Sequence, residues 1–277
     1  MNYKVSVLLL SAALLGTSLA APGTSTTTRQ FPAAQVSTLR IGVDFHDIEV
    51  EVVLGERVSV VTDTKVLGIV ISPGTLIPVV SLSGGVLSIR SPSHVSINIG
   101  SLSGHVRVRL PPGKTLDLVT DSGNITVAVP ARSMTLQSDS GTIQVKGGAP
   151  HLTLRTDSGN IQVQSGGAVV ARSDSGNLNL AGLSGLLTAR SDSGNITASW
   201  TKAPAAGKVA VQSGSGDVQL SLPRGASYGG SLRSESGRVT VQRPGSQSRG
   251  EGQVQLGDAP LMLNVSSDSG DVTVHQP

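Results

Sequence analysis

From residue 115 onward the chain alternates apolar and polar positions in short runs, and the same two-run unit returns about every 18 residues. Leu116 and Leu118 are followed by Ile125 and Val127, Met134 and Leu136 by Ile143 and Val145, and Leu152 and Leu154 by Ile161 and Val163. Later runs place Leu178 and Leu180, Val209 and Val211, Val218 and Leu220, Val239 and Val241, Leu263 and Val265, and Val272 and Val274 in the same inward positions. A period of two, bounded by Gly and Ser, predicts short strands with one buried face. Six Asp-Ser-Gly turns separate the runs, ending at Gly123, Gly141, Gly159, Gly176, Gly194 and Gly270, with variant copies ending at Gly216 and Gly237. The first steps are 18, 18, 17 and 18 residues; the later ones lengthen to 22, 21 and 33, which predicts insertions. The expected fold is all-β: a single-stranded, β-helix-like β-solenoid with coils of about 18 residues marked by Asp-Ser-Gly turns. Upstream, Leu39, Ile41 and Val43 lead into a turn-like Asp44-Phe45-His46-Asp47-Ile48, and Ser83-Gly84 and Ser103-Gly104 mark two further turns. The solenoid is therefore expected over 37–277, with roughly ten coils.

Three columns recur around each turn. The last inward position before it is always a small hydroxyl: Thr120, Ser138, Thr156, Ser173, Ser191, Ser213, Ser234 and Ser267. In stacked coils these form an internal ladder that packs and satisfies the turn; without histidine partners they are not nucleophiles. The eight turn glycines are expected at positive φ, with the preceding Asp accepting from the turn's own amides. Asn124, Asn160, Asn177 and Asn195 follow the glycines and suggest an amide ladder. Asp121, Asp139, Asp157, Asp174 and Asp192 would stack one coil apart, where neighbours repel by roughly 0.9 kcal/mol even in bulk water. Arg155, Arg172, Arg190 and Arg233 sit two residues before an acid on the same outward face, so a salt-bridged turn ladder is the first reading. A cation-binding edge along the five aspartates is the alternative, although one carboxylate per coil falls short of a six- to eight-oxygen calcium cage.

Aromatics make up only 2% of the 277 residues and Gly contributes 34, so the core is a thin one of Val, Leu, Ile and Ala. The formal charge is +3 without an aromatic-laced basic stripe, which excludes a nucleic-acid partner. There is no cysteine, hence no disulfide, thiolate zinc site or lipidated Cys. Residues 1–20 read as a signal peptide: Lys4, the apolar run Val5–Leu15, and a small-x-small cut after Ala20. An uncleaved anchor is the alternative, and no later stretch is apolar enough to span a membrane. Residues 21–36 read as a flexible leader. His46, His94, His105, His151 and His275 share no ligand spacing, so no metal site is expected. Gly113-Lys114-Thr115 lacks the first P-loop glycine, where Val108 stands, and Ser184 completes no nucleophile elbow. Trp200 and Tyr228 fall in or beside the longer repeats; Trp200 is read as capping an apolar edge, with contact to a sugar or partner as the alternative. No catalytic residue or cofactor is predicted. The acids repeat evenly instead of clustering, which argues against a polysaccharide-cleaving enzyme.

The serial Ser-Gly-[Asn/Asp]-[Ile/Val/Leu]-x-[Val/Leu] motif at 122–127, 158–163 and 269–274, and the run Leu256-Gly257-Asp258-Ala259-Pro260 before the last turn, resemble the bacterial putative-adhesin β-strand-repeat family of exported and envelope proteins. The resemblance covers roughly residues 37–277. It implies adhesion and brings no catalytic or binding residues. The expected function is that of a non-enzymatic exported envelope protein, an adhesin or binding scaffold, located in the periplasm, at the cell surface or outside the cell. Its expected partner is an envelope component or cell surface, with polysaccharide and protein both open. A periplasmic or secreted sensor of envelope stress is the alternative.

Overall fold

The computed structural model describes residues 18–20, 23–72, 76–92 and 97–277, and for 18–20, 68–72 and 97–99 it describes the backbone. Residues 1–17 of the predicted signal peptide, and His94, lie outside the described residues. Apart from a 3-10 turn at Ala33–Gln35, the regular elements are strands. In chain order the N-terminal part carries β1 (Ser18–Ala20), β2 (Gly23–Pro32), β3 (Thr38–Val43), β4 (His46–Val52), β5 (Arg57–Ser72), β6 (Val79–Ser83), β7 (Val86–Arg90) and β8 (Ile97–Leu110). The regular coils carry β9 (Thr115–Thr120), β10 (Ile125–Val127), β11 (Ser133–Ser138), β12 (Ile143–Val145), β13 (His151–Thr156), β14 (Ile161–Val163), β15 (Ala168–Ser173) and β16 (Leu178–Leu183). They continue with β17 (Leu187–Ser191), β18 (Ile196–Trp200), β19 (Gly207–Ser213) and β20 (Val218–Ser221). The chain ends with β21 (Tyr228–Arg243), β22 (Ser246–Gln255), β23 (Leu261–Ser267) and β24 (Val272–His275).

The strands stack as two parallel ladders that meet at the Asp-Ser-Gly corner. The first runs β7, β3, β9, β11, β13, β15, β17, β19, β23, β21. The second runs β8, β4, β10, β12, β14, β16, β18, β20, β24, β21. The chain is thus the expected β-solenoid. Rungs about 4.8 Å apart make it a rod on the order of 45 Å long. Registration is strict: Ile125 lies on Ile143, Ile143 on Ile161, Ile161 on Leu178 and Leu178 on Ile196, all buried. A regular coil buries four such side chains, for example Leu152, Leu154, Ile161 and Val163. Each contributes roughly 1.5–3 kcal/mol, which outweighs the repulsion along the acidic edge. The connections that lead from the second ladder back to the first bury Val129, Ala131, Ala149 and Leu222, and Leu183 of β16 pairs with Trp200 of β18, so Trp200 is a core residue whose Nε1 donates to the Gly185 carbonyl at 2.9 Å.

The order of the coils in space departs from their order in the chain at both ends. The first coil, β3–β4, is not terminal, because β7 and β8 lie on its outer side and β9 and β10 on its inner side. Likewise β23–β24 lies between β19–β20 and β21. The 33-residue step from Gly237 to Gly270 is therefore more than an insertion: Gly237 stacks on Gly270, and Gly270 on Gly216. Upstream, Ser83-Gly84 is the β6–β7 hairpin and not a solenoid corner, whereas Gly104 lies within β8, paired with His46.

The ends are covered by antiparallel strands. β5 pairs along β8, β2 and β1 pair along β5, β6 pairs with β7, and β22 pairs with β21. The expectation of a flexible leader over 21–36 is corrected here. Residues 23–32 are a ten-residue strand in register with Arg57–Val66, and Ala33 and Val36 are buried. The threonines that looked disordered are good edge-strand residues, and Pro32 ends the strand. At the other end the cap is the β21–β22 hairpin, and Gln276 is buried and donates to the carbonyls of Pro223 and Ala226.

Candidate binding faces

The corner between the ladders is closed by its own hydrogen bonds. Thr120, Ser138, Thr156, Ser173, Ser191, Ser213, Ser234 and Ser267 are all buried, as a packing column requires. Each hydroxyl except that of Thr120 donates to the turn-glycine carbonyl one rung away, as from Ser138 to Gly123 at 2.8 Å and from Ser267 to Gly216 at 2.8 Å. Thr120 donates instead to the His46 carbonyl, at 3.1 Å. The amides of Gly123, Gly141, Gly159, Gly216, Gly237 and Gly270 donate to the hydroxyl of their own coil. This replaces the expected donation to the aspartate side chain. The positive-φ expectation for the eight turn glycines is also corrected, since none has φ in the left-handed region. Glycine is needed for another reason. At Gly141, Gly159, Gly176, Gly194, Gly216 and Gly270 a Cβ would overlap the carbonyl oxygen of the turn glycine one rung away, and at Gly123 that of His46.

Just outside the corner runs the asparagine ladder. Each side-chain oxygen accepts from the backbone amide of the next rung: Asp47 from Asn124 at 2.7 Å, Asn124 from Thr142 at 3.0 Å, Asn160 from Asn177 and Asn177 from Asn195 at 2.9 Å. It continues through Asp217 and Asp271 to Arg238. Asp and Asn share this place in the Ser-Gly-[Asn/Asp] motif because either supplies the needed oxygen.

The acidic row stands on the exposed corner. Arg155–Asp157 (3.3 Å), Arg172–Asp174 (3.4 Å), Arg190–Asp192 (3.0 Å) and Arg233–Glu235 (2.9 Å) are paired as the Arg-x-acid spacing predicts. Asp121 and Asp139 have Val119 and Gln137 at the arginine position. Asp44 joins their row, because the Ser122 amide donates to its carbonyl just as that of Ser140 does to Asp121. Burial, then Asp44 and Asp139, push the Asp121 carboxyl above the usual carboxylate range. Among the described residues no three His, Asp or Glu side chains gather as a metal-binding group. The five aspartates thus lie in one row, with three of them held by arginines.

His46 occupies the place that glycine takes in the other turns. Its ring is fully buried, stacks on Phe45 with centroids 4.3 Å apart, and crosses Gly104 to put Nε2 3.0 Å from Thr64 Oγ1. Its Nδ1 and the Thr62 hydroxyl have no partner. Burial, and then the nearby His105, lower its pKa to about 4 against the opposing pull of Asp47. Sequence reading placed His46 in a turn and gave no sign of this burial, because the glycine that admits the ring is 58 residues away on β8.

Among the concave surfaces, two lie on the outward faces of the ladders. One, of about 380 Å³, lies on the first ladder near its C-terminal end, among Arg190, Lys208, Gln212, Ser231, Arg233 and Asn264. The other, of about 440 Å³, lies on the second ladder near its N-terminal end, among Asp47, Glu49, His105, Asn124, Thr126, Thr142, Gln144 and Gln162. Arg107 Nε donates to Glu49 at 2.9 Å, which raises the Arg107 pKa, and His105 Nδ1 lies 3.7 Å from Asp47. No helix among the described residues is long and apolar enough to cross a membrane.

The Toastrack DUF4097 family model matches residues 40–275 of the chain. No curated protein matches it in sequence. Among solved structures, it is similar to a putative adhesin from Parabacteroides merdae, at 8% identity and a TM-score of 0.44, covering 90% of this chain and 96% of that one. It is also similar to a putative adhesin from Parabacteroides distasonis, at 11% identity and a TM-score of 0.43, covering 90% and 97%. A third, a putative adhesin from Bacteroides fragilis, has 14% identity and a TM-score of 0.37 and covers 92% and 99%.

Proposed function

The chain belongs to the Toastrack DUF4097 family, and from that premise we propose that it is an exported, non-catalytic envelope protein that presents its solenoid faces for adhesion or as a binding scaffold. The observation that carries this reading is how its polar groups are spent. The corner hydroxyls and asparagine oxygens are consumed by the turn backbone, and the outward groups recur once per coil instead of converging on one point. A periodic surface of weak, repeated contacts gains affinity through multivalency, whereas catalysis needs a nucleophile, a base and an oxyanion site within a few ångströms. The proposed mature form begins at residue 21, after the signal peptide, and keeps β2 as its edge strand.

The test is co-sedimentation of residues 21–277 with fractionated envelopes of the source cell, with and without a calcium chelator. Retention by one fraction in both conditions supports an adhesin or scaffold. Retention lost on chelation would assign the Asp121–Asp192 row a cation. No retention by any fraction would overturn the adhesion reading and leave the sensor.

A further inference from the structure

The outward face of the second ladder carries, beside the asparagine ladder, a second column whose side chains the fold leaves largely unused. In register it reads Thr126, Gln144, Gln162, Asn179, Thr197, Gln219, Thr273 and Thr240. Every member is uncharged and ends in a hydroxyl or amide. Gln144 Nε2 donates to Gln162 Oε1 at 3.3 Å, which aligns the two amides across the rungs. At its N-terminal end this column sinks into the concavity of about 440 Å³, where Thr126 and Gln144 are half-buried. At that end Glu49 is held by Arg107, and Asp47 accepts from the Asn124 amide and side chain, with His105 Nδ1 3.7 Å away.

The lining selects among ligand classes. A protein partner draws its affinity from an apolar centre with aromatic or Arg anchors, and this groove has neither. A polyanion needs excess positive charge, and here Arg107 already holds Glu49 while Asp47 adds a negative charge. A chain of neutral sugars offers what the surface lacks: closely spaced hydroxyls that both donate and accept, repeating along a line. We propose that this column binds an uncharged polysaccharide along the ladder, with Thr126, Gln144 and Gln162 as the strongest subsite and His105 and Asp47 at its rim. The proposal rests on the adhesion reading and names its ligand.

The test uses the mature chain in pull-down on insoluble cellulose, chitin and starch, with pectate gel as the anionic comparator. Wild type is expected to be retained by at least one uncharged polymer, with little loss between low and 0.5 M salt, as befits contacts without net charge (about 3–10 Å screening lengths would weaken ionic ones). Gln144→Ala/Gln162→Ala is expected to weaken retention at least tenfold, and Gln162→Arg to do the same by filling the groove. Arg172→Ala/Arg190→Ala, on the other face, is expected to leave it unchanged. Unaltered thermal transitions of the three variants exclude misfolding as the cause. No retention on uncharged polymers, retention on pectate alone, or full retention by both groove variants would overturn the proposal. Envelope co-sedimentation separates the two readings. If envelopes still retain the Gln144→Ala/Gln162→Ala variant, and protease treatment of the envelope abolishes that retention, the groove assignment fails while adhesion stands. If wild type is retained by neither polymers nor envelopes, both fail.

Discussion

At the residue scale the corner is the tightest part of the molecule, and Ser138 shows why. Its hydroxyl donates to Gly123 O and accepts from Gly141 N, both at 2.8 Å, in a site without water access. Ser138→Ala leaves two buried backbone groups unpaired and should cost about 2–4 kcal/mol in urea unfolding, since each such loss costs about 1–3 kcal/mol. Ser138→Thr should be near neutral, because Thr120 and Thr156 already fill the column. Gly159→Ala should be at least as damaging, by about 3 kcal/mol, because the new methyl meets the Gly141 carbonyl and the rungs must separate. The sequence showed that glycine recurs there but not why: positive φ is a local property, whereas the clash comes from a neighbour 18 residues away. Asp121 gives a prediction of the opposite sign. Its raised pKa means that the folded state holds the proton more tightly than the unfolded chain does. Ionisation therefore costs stability above the carboxylate range, and the cost vanishes as pH falls and both states protonate. Asp121→Asn should raise Tm slightly at pH 7 and leave it unchanged near pH 3. A lower Tm at pH 7 would show that the carboxylate is stabilised there by something else.

At the element scale the N-terminal cap depends on contacts that the alternation pattern does not reveal. The regular strands were legible because inward pairs such as Ile161 and Val163 repeat with one period. β2 was not, because Gly-Thr-Ser-Thr-Thr-Thr has no apolar alternation and its partner, β5, lies about thirty residues further on. β2 shields the edge of β5, so removing residues 21–36 should expose a long strand edge and take the buried Ala33 and Val36 out of the core. The expected outcome is oligomers in light scattering where the chain from residue 21 is monodisperse. Within the same cap, His46 joins β4 to β5 across β8, facing Thr64 of β5, with His105 and Asp47 as the nearby titratable groups. Its folded pKa of about 4 lies below the usual 6.5, so the fold holds the neutral ring. That contribution is complete above pH 6.5 and is lost as pH falls towards 4, because the unfolded chain takes up the proton first. Full expression would be on the order of 3 kcal/mol. Urea titrations at pH 7.5 and 5 should show the decline in wild type and a flatter profile in His46→Gln. Equal slopes would remove His46 as its source.

At the scale of the whole molecule the unexpected feature is that both terminal coils are interior. The sequence could not reveal this. Every rung presents nearly the same pairing edge, so the repeat specifies that coils stack but not which two are neighbours. The order is decided at the ends, where long strands such as β21 pair with both ladders at once and β22 closes the outside. The arrangement also locks the fold. The last coil, β23–β24, links β21 to β19 and β20 and cannot leave without breaking pairings on both of its sides, so a C-terminal truncation is not the loss of a fraying end. In a simple solenoid, removing the last coil costs one interface and leaves the rest intact. Here a chain ending at Gln255 loses an interior rung, together with Gln276, which ties down the 223–226 loop. The β21–β22 hairpin would then have no parallel partner unless it moved one rung inward onto β19 and β20. The chain from residue 21 to 255 should therefore show amide exchange protection through the coils up to β18, near that of the full chain, and lose it across residues 228–255. If protection of the hairpin persisted, it would have docked directly on β19 and β20, and the interior position of the last coil would be dispensable to the cap.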